Sequence, residues 1–381
     1  MKRLPRNQIL TGDAAVLLAG LLAESVDAVI TSPPYFHLRD YDVSGQLGLE
    51  ASVDAWAADL QQVFRAVARV LKPHGSVWLN LGDTYSRSAR SGAPPKSLLL
   101  APERLLLALS SDGWLVRNKV VWAKRNPMPE SVTDRLSTTW EPMYLLTRSP
   151  RYQFDLDAIR EPHRGATTAK PSERDRRYQG GNGGLGKLKA EGRVGHLLGK
   201  NPGDVWPLPK ATYWGAHFAT FPEQLIERPI LATVPERICV QCDRPWRRPV
   251  RAHRIMRSRR PADAPSKLVR RYASSYDVIR ERGPLIRCHC FAPTRAGVVL
   301  DPFFGTGTVG VVAKRLGRDW LGIELNPTYV RMAEARLGSG AAGMRRGRAR
   351  GGPGGGRKGT AALLPTASAI HDHPKGGESR D

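Results

Sequence analysis

The stretch Val298-Val299-Leu300-Asp301 runs directly into Pro302-Phe303-Phe304-Gly305-Thr306-Gly307-Thr308, and apolar residues then recur from Val309 to Leu316. A short β-branched run, a glycine-rich turn and a helical stretch define a βα unit, which commits this end of the chain to a layered α/β fold. Glycine lets a ligand approach the turn backbone, and amides at the start of the helix suit an anionic or electron-rich group. The next apolar segment, Trp320-Leu321-Gly322-Ile323, ends on Glu324, about two dozen residues after Asp301. That is where a ribose hydroxyl pair is met in dinucleotide-type folds. The turn lacks the third glycine of the dinucleotide fingerprint and the lysine of a P-loop. A nucleoside without a pyrophosphate fits this departure better than NAD or ATP.

A second strand end lies far away in the sequence. Val26-Asp27-Ala28-Val29-Ile30 is short and apolar, and Thr31-Ser32-Pro33-Pro34-Tyr35-Phe36 follows at once. Proline fixes φ and removes a backbone donor, so Pro33 and Pro34 stiffen the corner and leave carbonyls as acceptors. A planar exocyclic amine can donate to Ser32 and to the Pro33 carbonyl while its ring stacks on Tyr35. The hexapeptide therefore suits the holding of a nucleobase amino group for alkylation.

Together the two signatures resemble the S-adenosylmethionine-dependent amino-methyltransferases of DNA, over most of the first 337 residues. Ser32-Pro33-Pro34-Tyr35 matches the family's catalytic motif. Asp301, Phe303, Gly305, Gly307 and Thr308 fall in its cofactor motif, with Glu324 as the implied ribose ligand and Asn326 beside it. Because the catalytic motif comes first, the order is the permuted one of the beta class. The resemblance also implies cofactor contacts from Asp13, in Gly12-Asp13, and from Phe221, in His217-Phe218-Ala219-Thr220-Phe221-Pro222-Glu223. It implies a Rossmann-like, mostly parallel sheet of seven strands with an antiparallel edge strand. The two motifs should then lie at the carboxyl ends of adjacent central strands. The Ser-Pro-Pro-Tyr form is the more typical of cytosine-N4 enzymes. Three other readings stay open: adenine N6 as the target, RNA as the polymer, and a zinc-containing DNA-binding protein with an inactive methyltransferase body.

Charge agrees with a polyanionic partner. The 381 residues carry a formal net charge of +24, which favours nucleic acid without naming the chemistry. Double-stranded DNA is the expected partner, and a cognate restriction endonuclease is a companion that the resemblance allows. A monomer and a homodimer both satisfy the sequence. No apolar run approaches the roughly eighteen residues that cross a bilayer, and Met1 to Arg6 lacks the features of a secretory signal. A cytoplasmic location is expected.

Helical spacing at Trp56, Leu60, Val63, Phe64 and Val67 predicts an amphipathic helix over 56–71. Strands are predicted at 76–80, 115–123 and 142–147, and a helix at 102–110. The expected organisation is a catalytic half at 1–160, a target-recognition segment at 161–203 and a return to the body at 204–238. A zinc-binding basic insertion at 239–290, a cofactor half at 291–337 and a disordered Gly/Arg-rich tail at 338–381 complete it. All four cysteines fall in the insertion, as Cys239-x₂-Cys242 and Cys288-x-Cys290. Four thiolates suffice for a structural zinc site, with disulfides the alternative. Arginines crowd the stretch between the pairs, consistent with contact to DNA phosphates.

Overall fold

The computed structural model describes residues 4–162, 198–210, 221–256 and 276–343. Its elements, in chain order, are β1 (Gln8–Thr11), α1 (Ala14–Gly20), β2 (Val26–Thr31), α2 (Val53–Val70), β3 (Leu71–Asn80), α3 (Ala101–Ser111), β4 (Leu115–Lys124), β5 (Trp140–Thr147) and β6 (Val205–Leu208). There follow α4 (Glu223–Thr233), β7 (Ile238–Cys239), β8 (Val250–Met256), β9 (Tyr276–Arg282), β10 (Thr294–Arg295), β11 (Val298–Asp301), α5 (Thr308–Arg315), β12 (Asp319–Glu324) and α6 (Pro327–Gly343).

Eight strands form the main sheet in the order β1-β12-β11-β2-β3-β5-β4-β6. Strand β5 runs antiparallel to both β3 and β4, whereas β6 is parallel to β4. One strand more is present than the seven expected, and the reversed strand lies inside the edge. The addition is β6, a four-residue piece containing Pro207. Proline at an outermost strand blunts further pairing because it offers no donor.

Side chains of the sheet alternate between two cores. Val29, Val77, Leu79, Leu300 and Leu321 pack with α1, α2 and α3 on one face. Ala28, Ile30, Trp78, Val299 and Trp320 pack with α4, α5 and α6 on the other. Period-two alternation with both faces apolar is what a sheet buried between helical layers requires. Ser52 caps α2 by accepting from the Ala55 amide, and the predicted apolar stripe is buried along its whole length. The fold puts the carboxyl ends of β11 and β2 side by side, with Leu300 paired to Val29.

Helix α6 continues to Gly343, past the Gly338 at which the sequence reading ends the ordered body. Residues 163–197 of the basic stretch, residues 211–220, the arginine-rich residues 257–275 and the tail from 344 lie outside the described residues.

Candidate active site

The two signatures meet. Thr31, the last residue of β2, donates from Oγ1 to Asp301 Oδ1 at 2.6 Å, although 270 positions separate them. Asp301 also accepts from the Phe303 amide at 3.0 Å, which bends the chain into the glycine turn. Burial, opposed by these two donors and reinforced by nearby Glu324, raises the Asp301 carboxyl to about 7. Glu324 Oε2 accepts from the Gly305 amide at 2.6 Å and its Oε1 accepts from the Asn326 amide at 2.8 Å. Burial raises this carboxyl also. Each carboxylate oxygen has a second lone pair left for a hydroxyl.

Gly305 and Gly307 have φ of +51° and +80°, conformations that side chains rarely adopt. Beneath the turn, Phe304 stacks on Trp320 with ring centroids 5.3 Å apart. Thr308 opens α5 and receives Arg336 Nη1 at 3.2 Å.

Above the turn is a cavity lined from both signatures. Ser32 and Pro34 face Phe303, Gly305, Glu324 and Asn326 across it, with Asp13 and the Tyr41–Tyr329 pair at its border. Asp13 also caps α1, accepting from the Val16 amide at 2.8 Å. Asn326 has a capping task too, since its Oδ1 accepts from Thr328. Among the described residues the lining contains two carboxylates and no lysine or arginine. Such a wall disfavours a phosphate and suits a cationic nucleoside, which is what S-adenosylmethionine offers with its sulfonium. Phe221, by contrast, packs against the core on the α4 face and is not among the lining residues.

The diproline corner is braced from below. Trp56 Nε1 donates to the Pro34 carbonyl at 2.9 Å. Tyr35 lies edge-on against Gly82, where an added Cβ would fall 2.5 Å from the ring. Ser32 Oγ donates to Tyr35 Oη at 3.1 Å. Tyr35 Oη is also 3.0 Å from Glu141 Oε2 and 3.2 Å from Asn80 Oδ1. Burial, with the Glu141 charge adding to it, holds the Tyr35 hydroxyl well above its ordinary value. Lys124 Nζ completes the cluster at 2.5 Å from Glu141 Oε1. Nothing in the spacing of Asn80, Lys124 and Glu141 along the chain joins them to Tyr35; the antiparallel packing of β5 beside β3 and β4 brings them there.

The four cysteines converge at the opposite end of the sheet. Their sulfurs all lie within 4.8 Å of one another. Four sulfurs about 2.3 Å from a tetrahedral zinc are spaced by roughly 3.8 Å, so the donor set fits. Strands β7 and β10 pair Cys239 with Thr294. Cys242 adjoins Asp243, which accepts from Lys72 Nζ at 2.6 Å and from Arg295 Nη2 at 2.5 Å. Lys72 also contacts Asp27, at the start of β2, at 2.9 Å. The cluster is thereby tied to the amino ends of the strands whose carboxyl ends form the cavity.

Comparison with known proteins agrees with this geometry. A family model described as DNA methylase matches residues 26–240 and 261–335. Type II methyltransferase M.SmaI of Serratia marcescens is 31% identical over 351 residues, 87% of this chain and 90% of its own. Type II methyltransferase M.Cfr9I of Citrobacter freundii is 33% identical over 347 residues, 86% of each chain. Among solved structures, PvuII DNA methyltransferase (cytosine-N4-specific) shares the fold, with a TM-score of 0.52 and 17% identity over 88% of this chain and 87% of its own. The chain belongs to the DNA methylase family, as a beta-class, S-adenosylmethionine-dependent methyltransferase of cytosine N4 or adenine N6. Among the described residues no helix is long and apolar enough to cross a membrane.

Proposed function

We propose that the protein methylates N4 of cytosine at specific sites in duplex DNA. The observation that carries the reading is the Thr31–Asp301 hydrogen bond, which places Ser32 and Glu324 on one cavity. S-adenosylmethionine, when bound, supplies an electrophilic methyl group. The residues proposed to hold it are Asp13, Asp301, Phe303, Gly305, Gly307, Thr308, Glu324 and Asn326. Phe221 keeps only an indirect place there, as the residue leading into α4. The target base leaves the duplex to reach the cavity. Ser32 and the Pro33 carbonyl accept from its amine, since the Pro34 carbonyl is taken by Trp56, and Tyr35 offers its ring. Positioning and a prearranged polar environment then accelerate direct transfer. The serine form of the motif favours cytosine over adenine.

Digestion of duplex DNA after incubation with methyl-labelled S-adenosylmethionine tests this. The label should elute as N4-methylcytosine. Label in N6-methyladenine would transfer the reading to adenine, and duplex without label would remove it.

Residues 161–203 are proposed to recognise the target sequence. Glu161 and Lys200 exchange backbone hydrogen bonds of 3.0 and 2.8 Å, so the intervening segment leaves and rejoins the body at one point. Its basic residues suit phosphate contact. The cysteines are proposed to hold one structural zinc ion, which elemental analysis of the purified chain should find in a one-to-one ratio. A cognate restriction endonuclease is the proposed companion, and methylated duplex should resist it.

A further inference from the structure

We infer that Glu141, paired with Lys124, is a positioning residue that makes Ser32 a pure hydrogen-bond acceptor toward the target amine. The inference rests on the methyltransferase reading above and concerns the direction of each proton in the cluster. A serine hydroxyl and a tyrosine hydroxyl each own one proton, whereas a carboxylate only accepts. Asn80 Nδ2 donates to the Pro142 carbonyl at 3.0 Å, which turns Oδ1 of that amide toward Tyr35. Tyr35 Oη therefore faces two acceptors, Asn80 Oδ1 and Glu141 Oε2. The carboxylate is the nearer of the two and the charged one, so it takes the Tyr35 proton. Only lone pairs remain on Tyr35 Oη for Ser32, so Ser32 must donate inward, along the 3.1 Å contact.

Ser32 then presents lone pairs alone to the cavity. This matters for the reaction. A serine proton aimed at the substrate would bond the amine nitrogen's own lone pair, the pair that must attack the methyl carbon. An acceptor serine instead takes an N–H and leaves that pair free. Lys124 Nζ, at 2.5 Å from the far carboxylate oxygen, compensates the Glu141 charge. Lys210 feels that charge as well. Tyr35 stays protonated because burial and Glu141 both oppose its ionisation. Gly82 leaves the ring room to reach this position, since any side chain there would collide with it.

The test compares Glu141→Gln, Tyr35→Phe and the double variant with the wild-type full chain on the unmethylated form of the duplex it methylates. Glutamine can donate to Tyr35 Oη and so releases the serine proton. Glu141→Gln should lower kcat about tenfold or more, with KM for duplex and for S-adenosylmethionine within about twofold, as an effect confined to the transition state requires. The double variant should be within about twofold of Tyr35→Phe, because both changes interrupt one chain. A fluorescent base analogue at the target position should report undiminished extrusion in Glu141→Gln. Wild-type kcat in Glu141→Gln, multiplying losses in the double variant, or lost extrusion would each overturn the inference. Should Glu141→Gln fail to fold, Tyr35→Phe alone decides, since wild-type kcat there is equally fatal. Absence of transfer by the wild type would instead strike the underlying methyltransferase reading.

Discussion

Two aspartates are buried at opposite ends of the same pair of strands, and the protein provides for them in different ways. At the amino ends, Asp27 has Lys72 at 2.9 Å and the Val298 amide at 2.8 Å, with Arg295 at 3.8 Å beyond. At the carboxyl ends, Asp301 has a hydroxyl and an amide, and the neighbouring charge it feels is another carboxylate, Glu324. A buried carboxylate with a cation is a fastening, whereas one without a cation is pushed up by burial and retains a use for positive charge. The cysteine cluster adjoins the first and the cavity adjoins the second. One sheet thus separates the end that holds the fold from the end that does chemistry.

The largest effect that sharpens this contrast comes from Lys72→Met. It leaves Asp27 buried without its nearest cation, so denaturant unfolding should lose about 3–5 kcal/mol. Unchanged stability would remove the distinction between the two ends. Glu324→Gln should act at the other end and on binding. Loss of a charge-assisted acceptor of about 1.5–3 kcal/mol weakens S-adenosylmethionine by roughly ten- to a hundredfold in calorimetry, with little change in unfolding.

The smallest effect, counted per pH unit, is a pH dependence. Asp301 is raised to about 7 in the folded protein, against about 3.9 in an unfolded chain. Between those values the folded state holds a proton that the unfolded state has lost. Stability should therefore decline as pH rises through this window, by up to about 1.4 kcal/mol per pH unit from this group. Asp301→Asn cannot titrate and should flatten the decline, leaving the share due to Glu324. An identical slope in the variant, measured by unfolding at several pH values, would contradict the assignment.

Much of this was legible in the sequence because local pattern and local structure coincide. The spacing of Trp56, Leu60, Val63, Phe64 and Val67 marks α2, and the apolar runs before Ser32 and Pro302 mark β2 and β11. Their adjacency is what the family resemblance implies, and it appears in the strand pairing. Strand β6 escaped notice because four residues with a proline carry little periodicity. The Asn80–Glu141–Lys124 cluster escaped because it depends on register between strands, which no spacing along one chain encodes. The ring of Phe221, two residues before α4, packs on that helix's face of the sheet, a placement that a motif by itself does not encode.

The shared pocket is tested most directly by Ser32→Ala protein, observed through bound S-adenosylmethionine and a single turnover on duplex DNA in the same preparation. The account predicts cofactor affinity equal to wild type, with methyl transfer slowed by about a hundredfold or more, the loss typical of removing one well-placed polar partner. Transfer at the wild-type rate, or cofactor binding that disappears together with it, would contradict a site in which Ser32 serves the base and the glycine turn serves the methyl donor.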